Sequence, residues 1–269
     1  MRSKDGRTTK DGIRIHDEAD FAGMHVAGAL AAKILDDIAQ HVFPGQTTGE
    51  IDRLITQMVE DAGAKSATIG YKGYQHASCI SVNHVVCHGI PGDKKLKDSD
   101  ILNIDVTVIV DGWFGDTSRM FVAGKLSRKA ERLIQVTHDA LMKGIESVKP
   151  GNTFGDIGHT IQAYVESQRM SVVRDFCGHG LGQVFHAPPN VLHYGRPGTG
   201  PVLEEGMFFT IEPMVNLGRP ETKILADEWT AVTRDKSLSA QFEHSIGVTA
   251  DGYDIFTLSP GGKFHPTYG

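Results

Sequence analysis

Two aspartates, two glutamates and a histidine are the residues of this chain whose types and spacing can do chemistry. Asp105 and Asp116 lie on the two arms of the stretch Leu102 to Val122. Leu102, Ile104, Val106, Val108 and Val110 share one parity and Asn103, Asp105 and Thr107 the other, the alternation of a half-buried strand. Asp111-Gly112 is a pair that a type I′ turn favours, so Trp113 to Val122 reads as the returning strand. A two-residue loop pairs Val110 with Trp113 and Thr107 with Asp116. Asp105 then lies diagonal to Asp116 on the same face, about 7–8 Å away at the backbone. A bulge would break this register. Further on, Glu212 is the lone charge in the apolar run Met207 to Pro213, where an unpaired carboxylate is costly. Ala240 to Ile246 reads as one strand, with Gln241, Glu243 and Ser245 on one face and Phe242, His244 and Ile246 on the other. His179 stands in Gly178-His179-Gly180-Leu181-Gly182.

Taken singly, each has an ordinary reading: a solvated strand face for the aspartates and Glu243, a satisfied core carboxylate for Glu212, a loop histidine for His179. Together they form a hard-ligand set at strand ends. Four carboxylates within about 7 Å of one another repel at roughly 2 kcal/mol per pair at an effective dielectric near 20. Two divalent cations offset this by charge count. Such ions sit about 3.5–4 Å apart and make water acidic enough to serve as hydroxide. Oxygen-rich ligands with one imidazole suit Mn, Fe(II), Co or Zn without choosing among them. The glycines around His179 also have phosphate-loop spacing, but such a loop should lead into a helix. This one runs into Val184-Phe185-His186-Ala187-Pro188-Pro189. Neither His-Glu-x-x-His nor Gly-x-Ser-x-Gly occurs.

The elements that must position these groups come in two related sets. Phe21, Met24, Ala27, Ala31, Ile34, Leu35 and Ile38 recur at helical spacing, predicting a helix over about 17–42 that Pro44-Gly45 stops. Thr47 or Thr48 caps a second helix carrying Ile51, Leu54, Ile55, Met58 and Val59, with Gly63 past its end. The unit returns: Pro44-Gly45-Gln46-Thr47-Thr48-Gly49-Glu50-Ile51 matches Pro150-Gly151-Asn152-Thr153-Phe154-Gly155-Asp156-Ile157, and Ile55, Val59 and Glu60 match Ile161, Val165 and Glu166. A helix precedes the second copy as well, over about 127–148. The chain therefore reads as two related halves of one fold around a shared core, with a site between them.

Composition sets outer limits. A chain of 269 residues can bury a substantial core, and a net charge of −6 argues against broad nucleic-acid binding. Three cysteines (Cys79, Cys87, Cys177) without a Cys-x-x-Cys pair point to a reducing compartment, hence a cytoplasmic location. No apolar run reaches the ~18 residues of a membrane span. Residues 1–12 read as a flexible N-terminal arm bearing Arg2, Lys4, Arg7 and Lys10, and 13–269 as a single catalytic domain. The tail from Ser259 is expected to wrap the surface.

Across almost its entire length the chain resembles bacterial type I methionine aminopeptidases. The matching stretches are Cys79-Ile80-Ser81-Val82-Asn83, Val86-Cys87-His88-Gly89-Ile90-Pro91, Asn103-Ile104-Asp105-Val106, Gly115-Asp116-Thr117, Cys177-Gly178-His179-Gly180, Thr210-Ile211-Glu212-Pro213-Met214 and Ser237 to His244. The resemblance implies an α+β, pita-bread fold: a curved antiparallel sheet, helices outside and an internal pseudo-twofold axis. It implies removal of the initiator methionine from new chains when the second residue is small. Asp105, Asp116, His179, Glu212 and Glu243 would hold two divalent ions (Co, Zn, Mn, Fe or similar). Asp116 and Glu243 would bridge them, Asp105 would chelate one, and His179 with Glu212 would bind the other. Glu212 would shuttle the proton, and His88 and His186 would hydrogen-bond the substrate. Tyr71, Tyr74, Cys79, Phe185 and Trp229, with Thr68 at the rim, would form the methionine pocket. The backbone carbonyls of Asn83, Val85 and Ser239 match positions that hold a monovalent cation, Na or K, in relatives.

The implied partners are the amino termini of nascent chains, with the ribosome as a candidate meeting place, no specific nucleic acid, no membrane and a monomeric state. Two departures stand out. Many relatives have Cys and His at the positions of Thr68 and Lys72, which alters the pocket rim and the charge at its entrance. The spacing from His179 to Glu212 leaves no room for the helical insertion of type II enzymes. The rival readings are a proline dipeptidase, whose large N-terminal domain this sequence lacks, and a non-catalytic pita-bread domain that binds peptides.

Overall fold

Each helix starts where a short polar side chain can take up first-turn N–H groups. Asp17 accepts from the Ala19 and Asp20 amides at the head of α1 (Glu18–Ile38). At α2 (Thr48–Asp61), Glu50 Oε2 accepts from the Thr47 amide at 2.9 Å and the Thr47 hydroxyl at 2.8 Å. After α3 (Arg128–Glu146), the pattern repeats at α4 (Phe154–Ser167): Asp156 Oδ2 accepts from the Thr153 amide at 2.7 Å and hydroxyl at 2.8 Å. The repeat read from the two Pro-Gly-x-Thr stretches is thus a repeat of capping geometry.

The computed structural model describes residues 7–263. Expectations for Met1 to Gly6 and for 264–269 lie outside the described residues. Of the arm, residues 7–12 fold back on the chain: Ile15 N donates to Arg7 O and Thr9 N to Ile13 O, and Arg7 pairs with Glu204. The buried Ile13 anchors this turn. At the other end, Ser259 and the Gly261 amide both donate to Asp36 of α1. The start of the tail is therefore pinned to α1, with Pro260 to Gly262 exposed at the surface.

The strands of the first half are β1 (Lys65–Ser66), β2 (Ser78–Val82), β3 (Val85–Cys87), β4 (Asp100–Val110) and β5 (Trp113–Ala123). The second half contributes β6 (Ser171–Val172), β7 (Gly178–Gly180), β8 (Ala187–Val191), β9 (Phe208–Ile211), β10 (Met214–Asn216), β11 (Thr222–Ile224), β12 (Ala231–Thr233), β13 (Ser239–Gln241), β14 (His244–Val248) and β15 (Tyr253–Ile255). Every ladder among the described residues is antiparallel. In the first half β4 lies between β5 on one edge and β1 and β2 on the other; in the second the order is β15-β14-β9-β7-β8.

The hairpin forms in the expected register, Val110 with Trp113 and Thr107 with Asp116, with no bulge. Asp111 (φ 49°) and Gly112 (φ 86°) supply the two positive φ angles that a type I′ turn needs. The expected single strand from Ala240 to Ile246 is instead two. β13 pairs with β10 and β14 with β9, and the break at Phe242-Glu243 lies opposite the break at Glu212-Pro213. Pro213 has no N–H to give to a ladder, so both strands change sheets together.

Burial follows the duplication. One apolar cluster gathers Ile34, Leu35, Ile51, Ile55, Ile104 and Val106 from α1, α2 and β4. A second gathers Leu133, Leu141, Ile157, Ile161, Phe209 and Ile246 from α3, α4, β9 and β14, and reaches Ile101 and Met120 of the first half; two smaller clusters, around Val86 and Met214 and around Met24 and Phe208, lie beside them. The halves are also tied by β3, which pairs with β12. No helix among the described residues is long and apolar enough to cross a membrane.

Candidate metal centre

The polar face of the β4–β5 hairpin is not solvated. Asn103, Thr107, Asp116 and Ser118 are all buried, because the second half covers them. Asn103 Nδ2 donates to the Gln241 carbonyl at 2.8 Å, Thr117 Oγ1 to the Glu243 carbonyl at 2.7 Å, and Ser245 Oγ to the Asp116 carbonyl at 2.6 Å. The Glu243 amide donates to Ser118 O at 3.1 Å. These bonds form the seam between the halves, and the chemistry-bearing residues line it.

Each half brings a carboxylate pair. On the first, Asp116 pairs with Thr107, whose hydroxyl donates to Asp116 Oδ1 at 2.7 Å, while Asp105 pairs with Ser118 and so lies diagonal to Asp116. On the second, counting inward from Met214↔Gln241 and from Ile211↔His244 brings Glu212 opposite Glu243. Glu212 is held at both oxygens, by Thr210 Oγ1 at 2.9 Å and by Gln241 Nε2 at 3.2 Å. Its backbone N–H donates to His193 Nε2 at 3.0 Å.

His179 enters from β7. A Cβ at Gly178 would stand 2.4 Å from the Thr210 carbonyl oxygen, and one at Gly180 would stand 2.1 Å from that of Pro188. The glycines therefore serve close strand packing, and the phosphate-loop spacing has no phosphate geometry behind it. His179 Nδ1 lies 3.1 Å from the Gly180 carbonyl, which accepts from it. That leaves Nε2 facing Asp116 Oδ2 at 3.5 Å and Glu212 Oε1 at 3.9 Å. Ligand atoms of Asp116, His179 and Glu243 lie within 4.8 Å of one another. Asp105 and Glu212 line the same cavity beside this trio.

Burial pushes the Asp105 and Glu243 carboxyls well above the usual range, and neighbouring carboxylates push them further. Burial also lifts Glu212 to about 7, with His179 and Thr210 opposing the rise and Asp116 adding to it. His179 is itself raised: burial works against its charged form, but Asp116 and Glu212 outweigh it. Among the described residues lining the cavity, Lys72 is the sole Lys or Arg, and it is exposed at the rim. Without a cation, then, buried carboxylates must hold protons to coexist. Oxygen donors with one imidazole are a chemically apt set for divalent ions, so the residues present fit the metal pair expected from sequence.

The cavity is about 580 Å³, within the range for small-ligand sites. Its lining includes every pocket residue expected from sequence: Thr68, Tyr71, Tyr74, Cys79, Phe185 and Trp229. Tyr71 meets Phe185 edge-on at 5.0 Å, and the Tyr74 and Trp229 rings are 4.9 Å apart. The Thr68 hydroxyl is committed to the His76 carbonyl at 2.7 Å. His186 stacks on Tyr71 at 5.2 Å and lies 4.1 Å from the His179 ring; burial and the His179 charge push it down to about 4. His88, lowered by burial, takes a left-handed φ of 55° and meets Phe176 edge-on at 5.5 Å. Strain of this kind is concentrated at functional sites.

Asn83, Val85 and Ser239 lie apart from the cavity lining, around the β2–β3 turn, where Ser239 N donates to Asn83 O at 2.9 Å. Sequence reasoning missed Cys87, Phe176, Cys177, Met214 and Gln241 in the lining. It also missed the supports Thr210 and His193. Gln241 was on the right strand face, and only the ladder reveals its reach to Glu212.

The family model described as metallopeptidase family M24 matches residues 22–250. The methionine aminopeptidase of Rickettsia prowazekii is 57% identical over 257 residues, spanning 95% of this chain and 99% of its own. That of Escherichia coli is 52% identical over 248 residues, spanning 91% and 94%. A crystal structure of the Rickettsia prowazekii methionine aminopeptidase matches with a TM-score of 0.91 at 58% identity, covering 91% of this chain and 100% of that one. A prolidase from Pyrococcus horikoshii shares the fold alone, with a TM-score of 0.73 at 21% identity over 91% of this chain and 63% of its own.

Proposed function

The chain belongs to metallopeptidase family M24 and has its α+β, pita-bread fold, and from that premise we infer that it is a methionine aminopeptidase. It removes the initiator methionine from new chains when the second residue is small. What carries the reading is one cavity in which an aromatic slot adjoins the buried carboxylate–histidine cluster, in a chain similar over nearly its whole length to proteins of that activity. We assign residues 13–269 to a single catalytic domain.

Asp105, Asp116, His179, Glu212 and Glu243 would hold two divalent ions, with Asp116 and Glu243 shared between them. When bound, the ions supply Lewis acidity toward water and the scissile carbonyl and neutralise the carboxylate cluster. The apolar slot formed by Tyr71, Tyr74, Cys79, Phe185 and Trp229 takes the thioether. His88 and His186, both held neutral by burial, offer N–H groups to the scissile amide and its carbonyl. Glu212 takes a proton from the attacking water and returns it to the leaving amine. Thr210 and Gln241 keep that carboxylate aimed during both transfers. Asn83, Val85 and Ser239 would offer backbone carbonyls to a monovalent cation. The enzyme works as a cytoplasmic monomer, meeting its substrates near the ribosome.

The test is a peptide panel on protein stripped of metal and reloaded with Mn, Fe(II), Co or Zn in turn. Cleavage of Met-Ala-Ser supports the reading. Cleavage of Ala-Pro alone would make the protein a dipeptidase, and no cleavage with any ion would make it a binding domain.

A further inference from the structure

Glu212 sits at a gap in its own ladder. β9 ends at Ile211 and β10 begins at Met214, so the Glu212 N–H has no strand partner. His193 Nε2 takes it, 3.0 Å away. The ring is fully buried, and with Nε2 accepting, its proton lies on Nδ1, which has no protein partner among the described residues. A buried donor left unmatched is a standing cost, and an apolar side chain of similar shape would avoid it. Packing therefore does not account for a histidine here; its acceptor nitrogen does.

The segment carrying His193 is itself braced. A Cβ at Gly158 of α4 would stand 2.7 Å from the Leu192 carbonyl oxygen and 2.4 Å from that of Tyr194. The helix and the two flanking carbonyls are thus in direct contact. The next residue, Gly195, donates its N–H to Gln162 of α4 at 3.2 Å. A continuous path runs from the outer helix, through Leu192 to Tyr194, to the backbone of Glu212.

We propose that His193 is a positioning residue: it clamps the main chain at the β9–β10 gap and thereby fixes where the Glu212 carboxylate points. This rests on the reading of Glu212 as metal ligand and proton carrier. Thr210 and Gln241 hold the carboxylate oxygens, and His193 supplies the third point that stops the side chain from swinging about its own backbone.

The test compares the full chain with His193→Leu, His193→Asn and His193→Gln. Gln presents an oxygen near the place of Nε2, whereas Asn falls short of it and Leu has none. Two readouts are taken: kcat and KM on Met-Ala-Ser, and calorimetric titration of the metal-stripped protein with Mn²⁺. Leu and Asn are expected to lower kcat about 10–100-fold with KM within about threefold, and to weaken Mn²⁺ binding about tenfold, the usual scale for an outer-shell support. Gln is expected to restore most of both. A folded Leu variant within twofold of the parent in both readouts overturns the proposal, as does a Gln variant no better than Asn. If Leu prevents folding, the Gln–Asn comparison decides alone. If the parent leaves Met-Ala-Ser uncut, the functional reading fails, and the Mn²⁺ titration still decides the role of His193.

Discussion

Glu212 and Glu243 face each other across an antiparallel ladder that keeps one register on both sides of them. Like charges directly opposite in such a pair destabilise it, and burial raises the cost. Glu243→Gln is therefore expected to act in opposite directions on two measurements. Peptide cleavage falls at least about a thousandfold and metal retention weakens. In chelator at neutral pH, the variant melts above the parent, because an amide sits in the cluster without the proton that a buried carboxyl must hold there. An active Glu243→Gln enzyme would remove Glu243 from the centre.

Metal removal and pH are linked through the same groups. Asp105, Glu212 and Glu243 have folded pKa values above their unfolded ones, so the metal-free fold binds more protons than the unfolded chain. Their contribution is fully present below about pH 4, near the unfolded carboxyl values, and is lost as pH rises through the folded values. Bound cations replace those protons. The gap in melting temperature between loaded and stripped protein should thus widen from pH 5 to pH 7.5. His193 and His244, each pushed down to about 3 by burial, work the other way: their contribution to stability rises with pH between about 3 and 6.5, and metal does not change it. Melting curves with and without chelator across this range check both slopes.

Thr107→Val removes the hydroxyl that donates to Asp116 Oδ1 and keeps a β-branched side chain on the strand. The expected result is a kcat about tenfold lower with KM little changed, since the support of a ligand is lost while the pocket stays whole. The stability cost is about 1 kcal/mol. Steady-state kinetics beside a denaturant melt separates the two effects.

Gly180→Ala drives a Cβ to 2.1 Å from the Pro188 carbonyl oxygen, a backbone atom that cannot turn aside. Overpacking of this kind costs about 1–3 kcal/mol, and here it displaces β7 and with it His179. Activity should fall by more than tenfold. Gly92→Ala, with nothing within 4 Å, is the control and should match the parent.

Thr68, Tyr71 and His186 line the same cavity, and in the proposed function this part of it selects the second residue. Met-Gly peptides should turn over at least about tenfold faster, by kcat/KM, than Met-Phe peptides, because a bulky side chain meets the Tyr71–His186 stack. Equal turnover would refute this.

The β4–β5 hairpin and its register were readable because one alternating run meets an Asp-Gly turn, and nothing distant intervenes within it. The duplication was readable because capping chemistry is local: Thr47 with Glu50 and Thr153 with Asp156 each act within one turn. The break at Phe242-Glu243 was hidden, because its cause is Pro213 on a partner strand far away in sequence. For the same reason Thr210, Gln241 and His193 escaped notice. Their roles exist only once three separate segments meet at Glu212, and a lone threonine, glutamine or histidine carries no periodic signal. The burial of the hairpin's polar face belongs to the same class, since the covering half begins after it has ended.

The seam of hydrogen bonds that joins the two halves terminates on the residues around Asp116 and Glu243. Whatever settles between those side chains acts as a clasp on the whole molecule, and a simple melting trace then doubles as an occupancy gauge. Inhibitors of the centre could be sorted by heat and a dye alone, with no peptide in the tube.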